Sequence, residues 1–594
     1  MKELKVIPIE TDVLVIGGGL AGCMAAINAA GNKELKVTLA EKSDTRASGK
    51  AGTGVDHAWS YIPPVHEPMG YTLDDLVEDW RQSTASGASG FLRDDLVRLV
   101  ASTMYDRMLD LEKFGINFRY EDSKVPGKFR VVYQYFSVPG SFNFDGVPLK
   151  PKLTAEMKKR GVQIINRVQV TDLIKTDGQI SGAVGVGTRI AEIYFFKAKA
   201  VVLCAGGQSR IHRNPTGVDF NTFGPPTCTG DGAAMALHAG LPIVNMESLS
   251  GKPNLRAGAN YNPNYGDPRS TVQPAARIID WKGNIIVPRT RFYDWEKLGK
   301  EKWTPEVRRK WLEERRSIGN IRGRMAEMHD RGEGPFYLDF AEATDYEAQY
   351  IEWSIKNEGR GTQFMRYFKD EEGFDLKKTR QEYAGYGPME FGTGQRGLWV
   401  NRGLETEIRN LFAAGDEVGA FLNAAAAPGA LAGGWYAGGM AATRALAQKK
   451  FPVAGEEEVK GRKAICSELL NRERGFFWKE VEVYLQNLMD FYCGGIRSEA
   501  MLKRGLERLD YARAAPLKAD NPHELARCLE VKSIMDTAEM VLRCSLERKE
   551  SRPEPLGFRR SDYPQPSQEW SCFLGIRLED GEFKYAKYRG DKPV

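Results

Sequence analysis

Short apolar runs closed by glycine recur along the chain, and they predict buried strands that feed tight turns. The first is TDVLVI, from Thr11 to Ile16. Gly17, Gly19 and Gly22 follow it in GxGxxG spacing, and the small-residue run from Cys23 to Gly31 then reads as a helix. In that setting the first glycine makes a sharp turn, the second leaves bare backbone for a pyrophosphate, and the third lets helix pack on strand. LKVTLA (Leu35 to Ala40) predicts a second strand ending in Glu41, 19 positions after Gly22, where a carboxylate can accept hydrogen bonds from a ribose diol. Strand, glycines, helix, strand and acid in this order predict a dinucleotide whose ribose carries no phosphate.

Distant segments distinguish the two common dinucleotides. The small-residue loop from Ser43 to Gly54 lets backbone approach a flat ring system, as an isoalloxazine requires. AVVLCAGG (Ala200 to Gly207) predicts another strand and glycine turn against the same pyrophosphate, and NLFAAGDEVG (Asn410 to Gly419) places Asp416 for the hydroxyls of a ribityl chain. From Gly415 to Gly439, 15 of 25 residues are Gly or Ala, so a helix there can lay its backbone on a cofactor. These segments predict FAD. Elsewhere EKWTPEVRRKWLEERR (Glu301 to Arg316) reads as a solvated helix with Trp303 and Trp311 on its core side, and RGLERLDYARAA as an amphipathic helix that packs on the body or docks a partner.

Composition narrows the class. With 594 residues, 42% hydrophobic and 27% charged, the chain is long enough for two to four globular domains. A net charge of +5 is too small to predict nucleic-acid binding. Two uncharged stretches, Val13 to Asn32 and Val418 to Ala442, reach the length of a membrane span. Their Gly and Ala content points instead to tight backbone packing around a ligand, so no membrane span is expected. The N-terminal segment lacks the order of a signal peptide, which predicts a cytoplasmic protein. No two of the eight cysteines lie closer than 16 residues, so the chain offers no metal-ligand set and cannot hold an iron-sulfur cluster of the usual kind.

The motifs GGGLAG, EK with SGKAGTG, CAGG, TCTGDGAAMALHAG (Thr227 to Gly240), LFAAGDEVG, and RKESR with RRSDYP (Arg548 to Pro564) occur in the order of one known group. In this the chain resembles the flavoprotein subunits of the fumarate reductase and succinate dehydrogenase superfamily. The resemblance implies an α/β fold with a Rossmann-like FAD-binding domain, an inserted α+β capping domain and a C-terminal helical domain. It implies FAD binding in 1–243 and 381–450, the capping (substrate) domain in 244–380 and the helical domain in 451–594. Carried onto this sequence, the cofactor residues are Gly17, Gly19, Leu20, Ala21, Gly22, Glu41, Lys42, Ser48, Gly49, Gly54, Val170, Ala205, Gly206, Asp231, Asp416 and Asn423.

Several positions depart from the dicarboxylate enzymes of that superfamily. Ala47 stands where their covalent flavin linkage needs a histidine, so FAD is expected to be noncovalent. Their substrate histidine has no counterpart in GPMEFGTGQRGLWVN (387–401), nor their substrate arginine in NAAAAPGALAGG (423–434). Their cap arginine falls near Ser317, with Arg316 and Arg322 as displaced candidates, and Phe558 replaces the histidine of the C-terminal motif. The chain is more similar to the adenylylsulfate reductase alpha-subunit branch, through its noncovalent flavin, AAGD element, Trp-Val segment (Leu398 to Val400) and Arg277 after a Pro-Ala pair.

The catalytic candidates are therefore His57, as a proton shuttle or an ordinary surface histidine; Arg277, as an anion clamp or a surface arginine; Arg322; and Arg552, which with Arg560 serves substrate or a structural salt bridge. The resemblance implies electron transfer between a small anionic substrate and a ferredoxin-like iron-sulfur subunit. The alternatives are a self-contained FAD dehydrogenase (fumarate-reductase-like) and a non-catalytic electron-conduit flavoprotein of a larger redox complex.

Overall fold

β1 (Lys5–Ile16) changes character along its length: its first half mixes exposed and half-buried residues, and Val13 to Ile16 are buried without a break. The second half lies between two parallel neighbours and is covered on both faces. Burying side chains such as Val13, Leu14 and Val15 stabilises by about 1.5–3 kcal/mol each. The structure, a computed structural model, describes residues 4–52, 54–82, 93–130, 138, 140–213, 225–248, 254–255, 276–289, 306, 328, 331–357, 370–371, 373, 375–384, 396–419, 426–452, 455–590 and 592–593.

Helix α1 (Leu20–Ala29) leads from β1 to β2 (Val37–Glu41), which pairs with it in parallel. β3 (His57–Trp59) and β4 (Ser141–Asn143) form a short antiparallel pair; α2 (Asp94–Lys113) lies between them in sequence and α3 (Leu149–Lys159) follows β4. β5 (Gln163–Asn166) adds to β2, and β6 (Val168–Thr176), β7 (Gln179–Gly187) and β8 (Glu192–Leu203) form an antiparallel run that returns β8 to the side of β1. After β8 come α4 (Asp231–His238) and the short β9 (Ile243–Val244).

The inserted region is a five-stranded sheet of β10 (Asn254–Leu255), β11 (Arg277–Asp280), β12 (Ile285–Val287), β13 (Phe336–Asp339) and β14 (Gln381–Ala384), with α5 (Asp345–Asn357) beside it. It has its own core, including Ile278, Phe336, Leu338 and Ile351. β14 pairs with β13 and β10, so the cap sheet runs four residues past the boundary expected at 380. The chain then re-enters the main body through β15 (Gly397–Leu398) and β16 (Leu411–Ala413), the latter parallel to the end of β8, and continues into α6 (Ala426–Ala447).

The Gly/Ala-rich stretches find their explanation in each other. A Cβ on Gly434 would lie 2.3 Å from the Ala21 carbonyl oxygen and one on Gly438 2.2 Å from that of Ala25. The expectation that this helix lays its backbone on the cofactor is corrected at these glycines, which face α1. Among the described residues no helix is long and apolar enough to cross a membrane.

The C-terminal region is built from α7 (Glu456–Asn471), α8 (Trp478–Tyr492), α9 (Glu499–Ala514) and α10 (Pro522–Glu547). Ser498 and Asn521 cap α9 and α10 by accepting from Met501 N–H and Glu524 N–H, each cap contributing about 1 kcal/mol. The region is not helical throughout. β17 (Phe573–Glu579) and β18 (Glu582–Arg589) form a hairpin, and β17 pairs with β9, which pairs in turn with β15. One small sheet thus stitches the C-terminus to both halves of the main body.

Candidate functional site

β1, β2, β8 and β16 run parallel, so Ile16, Glu41, Leu203 and Ala413 bring four carboxyl ends to one edge. Crevices at such an edge are where open α/β sheets bind ligands. Three expected elements meet there, each followed by a glycine turn or an acid.

The glycine turn shows why its residues are glycines. Gly17 has φ +96°, and a Cβ on it would lie 2.4 Å from the Cys204 carbonyl oxygen. A Cβ on Gly22 would lie 1.8 Å from the Gly17 carbonyl oxygen. Gly19 is different: its nearest neighbour on the Cβ side is Gly49 Cα at 3.8 Å, so the turn and the small-residue loop face each other as bare backbone. α1 starts at Leu20 with no capping side chain and no acid in its first turn, which leaves its leading N–H groups and positive dipole end for an anion.

Glu41 is buried, and its two oxygens accept from Gly18 N–H at 2.5 Å and Ser43 N–H at 2.6 Å. A carboxylate has about four acceptor positions, so a ribose diol remains within its capacity. Ser48 donates its hydroxyl to Gly18 O at 2.8 Å. The same carbonyl accepts from the Lys150 ammonium, which also lies 3.0 Å from Cys23 Sγ. Lys150 is only 1% exposed, so a cation is fixed directly beneath the turn. Sequence reading missed it because a lysine at the start of an amphipathic helix reads as solvated.

Lys42, Asp231, Ala205, Gly206 and Asp416 also converge here. Lys42 Nζ binds Asp231 at 2.7 Å, Thr229 at 2.8 Å and Glu530 of α10 at 3.1 Å. Burial alone would lower the Lys42 pKa, but the facing Asp231 and Glu530 carboxylates raise it above its ordinary value. Glu530 also meets Arg210 at 2.7 Å, and Arg210 pairs with the buried Glu482 of α8. Burial opposes ionisation of Glu530, yet Lys42, Arg210 and Arg527 bring its pKa down to about 2. A buried ionic chain thus runs from the strand edge into the helical region.

Asp416 is held by Lys50 of the small-residue loop at 2.8 Å. Beside it, Glu417 is 1% exposed, and burial pushes its pKa up to about 8 against the stabilising N–H groups of Ala205 and Gly206. Val170 lies buried in β6, next to Gln169, whose amide donates to Asp231 at 3.3 Å. Gly49 and Gly54 take positive φ angles of 78° and 140° in the loop.

The catalytic candidates scatter. His57 lies on β3 with Nδ1 against the fully buried Asp56 carboxylate. Arg277, on cap strand β11, donates to Asp339 at 2.6 Å and Glu342 at 2.7 Å. Arg552 makes a two-pronged pair with buried Glu550 at 2.9 and 2.7 Å and reaches Ser567 O. These contacts give Arg277 and Arg552 structural ion pairs. Arg322 and Asn423, with the 301–316 helix apart from Glu306, lie outside the described residues. All eight cysteines are free and buried, and no metal-ligating group occurs among the described residues.

Comparison with known proteins fits this geometry. A profile described as an FAD binding domain matches residues 12–259, and one described as the fumarate reductase flavoprotein C-terminus matches 482–587. One subunit of the fumarate reductase (CoM/CoB) of Methanothermobacter marburgensis is 26% identical over 96% of this chain and 98% of its own length. The chain is thus similar over most of its length to the flavoproteins of the fumarate reductase and succinate dehydrogenase superfamily. It binds FAD and is an FAD-dependent oxidoreductase. The fold of this flavoprotein is also that of adenylylsulfate reductase from Archaeoglobus fulgidus, with TM-score 0.81 and 24% identity over 98% of this chain and 96% of the other. E. coli quinol fumarate reductase shares the fold at TM-score 0.74 and 18% identity over 98% and 97% of the two chains.

Proposed function

We propose that this flavoprotein moves electrons between a small anionic substrate and an iron-sulfur partner subunit, with FAD held noncovalently. The carrying observation is the strand edge itself: bare glycine backbone, free α1 N–H groups and the Lys150 cation match a pyrophosphate, and Glu41 and Asp416 match sugar-like hydroxyls. Bound FAD supplies a two-electron centre that can also exchange electrons singly.

The chain's own residues do the rest. The α1 N-terminus and Lys150 neutralise the pyrophosphate, and Glu41 orients the adenosine ribose. Asp56, as the acceptor for Nδ1–H of His57, fixes the imidazole so that a proton is taken or given at Nε2. The iron-sulfur reading is supported by the eight free, ungrouped cysteines, which give the chain no cluster of its own, and by the relative named as one subunit of a fumarate reductase.

The test is purification of the untagged native protein. The expected preparation carries a small cysteine-rich chain with broad visible absorbance, and acid releases all of its flavin. A protein that runs alone with only a flavin spectrum, and turns over a substrate with oxygen or a nicotinamide, is a self-contained dehydrogenase. Flavin left on the denatured polypeptide would overturn the noncovalent attachment that exposed Ala47 implies.

A further inference from the structure

Carboxyl groups converge on the strand edge, and most of them are matched. Lys42 holds Asp231 at 2.7 Å, Lys50 holds Asp416 at 2.8 Å, and Glu41 accepts from the Gly18 and Ser43 N–H groups. Glu417 is matched by backbone alone. The N–H groups of Ala205 and Gly206 donate to it, while its Oε2 is buried with no hydrogen-bond partner and no cation pairs with it among the described residues. A buried carboxyl without a counter-ion is costly to ionise, so it tends to keep its proton.

No element packed around Glu417 supplies a counter-charge. α4 begins at Asp231 and lays Gly232 on the carboxyl, where a Cβ would collide with both oxygens. The end of β8 brings the Cys204 thiol, which burial above all and then Glu417 hold above the ordinary thiol range. Asp416 precedes Glu417 in its own turn, with Lys50 already engaged there. α1 carries no charged residue, and neither does α6 before Arg444. β15 sets Gly397 against the Glu417 carbonyl, with Arg396 just before it in the chain and not paired with Glu417. The balance is close: burial first, then the Asp231 and Asp416 charges, keep the proton on, the two N–H groups favour its release, and the carboxyl is held at about 8.

We propose that Glu417 is a redox-linked proton store, taking one proton from solvent when two electrons enter the flavin bound at this edge. The electrons are those of the chain's FAD-dependent oxidoreductase activity. An O–H bond forms on the Glu417 carboxylate, and the proton returns to solvent on reoxidation. The cause is Coulombic, because electrons arriving on the flavin add negative charge that disfavours a nearby carboxylate. Uptake therefore occurs where Glu417 is ionised in the oxidised protein, above about pH 8. Glu417 acts through charge alone, and the inference rests on FAD binding, not on a substrate or an iron-sulfur partner.

The experiment reduces the FAD-loaded protein at an electrode through small-molecule mediators, and the flavin spectrum gives the midpoint potential across pH. Above about pH 8 the wild-type midpoint is expected to fall more steeply than below it, by up to about 30 mV per pH unit, which is one proton per tenfold change in proton activity for a two-electron couple. Ionisation of the reduced flavin itself bends the plot the other way. Glu417→Gln should lack the steepening, and Glu407→Gln, at an exposed glutamate paired with Arg577, should keep it. Reduced-minus-oxidised infrared spectra above pH 8 read the same event as a carboxylic-acid C=O band that moves in D2O and is absent from Glu417→Gln. A wild-type plot without steepening, or a steepening and band that survive in Glu417→Gln, overturns the proposal. Should the glutamine variant lose its flavin, Glu417→Asp decides, since its shorter acid must shift the band. The electrode supplies the electrons, so failure here leaves the proposed electron route untouched.

Discussion

The glycine turn and the arginine cluster of the C-terminal motif both aim hydrogen-bond donors at acceptors, but they are built in opposite ways. The turn is local: Gly17 to Gly22, the end of β1 and the start of α1 supply bare backbone and N–H groups within one short segment. The cluster is assembled from afar, since Arg548 meets Glu247 across 301 positions and Arg497 meets the same residue's carbonyl across 250. Backbone recognition tolerates almost no change in the atoms that surround it. Side-chain recognition can be rewritten one residue at a time, which suits a scaffold whose cofactor is fixed and whose substrate varies among relatives.

The largest effect separating the two regions is expected in the turn. Gly22→Ala places a methyl 1.8 Å from the Gly17 carbonyl oxygen, closer than any packing allows, so strand and helix must part. A loss of about 3 kcal/mol or more and of all bound flavin is expected, read by thermal unfolding and by flavin occupancy after gel filtration. A variant that keeps its flavin would show the turn to be as adaptable as the cluster.

Next comes the ionic chain that runs from the strand edge into the helical region. Glu530→Gln leaves Lys42 and Arg210 short of a buried counter-charge, at a cost of about 3–5 kcal/mol. The sign with pH is definite: Glu530 is held at about 2, below the ordinary 4.5, so its contribution is full above pH 4.5 and is lost as pH falls through 2. Wild type should lose stability over that window by an increment the variant lacks. Matching acid profiles would mean the chain carries no such linkage.

This difference in construction also explains what could be read in the sequence. TDVLVI, the glycines, LKVTLA and Glu41 each act through near neighbours, and the structure has strand, helix and strand there, with β1 extended back to Lys5 and β2 starting at Val37. AVVLCAGG and LFAAGDEVG were legible because parallel strands buried on both faces are continuous apolar runs. Lys150 and Arg497 were not, because a charged residue on a helix or beside one gives no local sign that distant segments will bury it. Arg277 and Arg552 looked available for an anion only because Asp339, Glu342 and Glu550 are invisible to spacing. The same holds for the C-terminal hairpin, whose pairing partner β9 lies hundreds of residues earlier.

Glu417 gives a smaller effect, of opposite sign. Its carboxyl is held up to about 8 by burial, against an ordinary 4.5, so the stability it contributes is full below pH 4.5 and is lost progressively as pH rises through 8. Glu417→Gln keeps the shape and removes the ionisation, so the variant should exceed wild type by up to about 3 kcal/mol at pH 8 and show a flatter alkaline profile. Chemical denaturation at several pH values reads both. Equal slopes would show that the carboxyl is not confined as the strand edge suggests.

The smallest expected effect tests whether the turn's side chains matter beyond its backbone. Glu41 serves two roles, bracing the Gly18 and Ser43 N–H groups and facing the ribose position, and substitutions can separate them. Glu41→Ala removes both and should weaken FAD binding by about 1.5–3 kcal/mol, the usual loss for hydrogen bonds to a charged group. Glu41→Gln keeps one carbonyl acceptor for the braced amides but presents an NH2 where the second oxygen stood. If bracing dominates, Gln and Ala should both lower the thermal midpoint of the flavin-free protein, Gln by less. If ribose contact dominates, that midpoint should barely move while FAD affinity falls in both, as measured by flavin fluorescence on dilution. Unchanged affinity in the alanine variant would remove Glu41 from the cofactor site and leave recognition there to backbone alone.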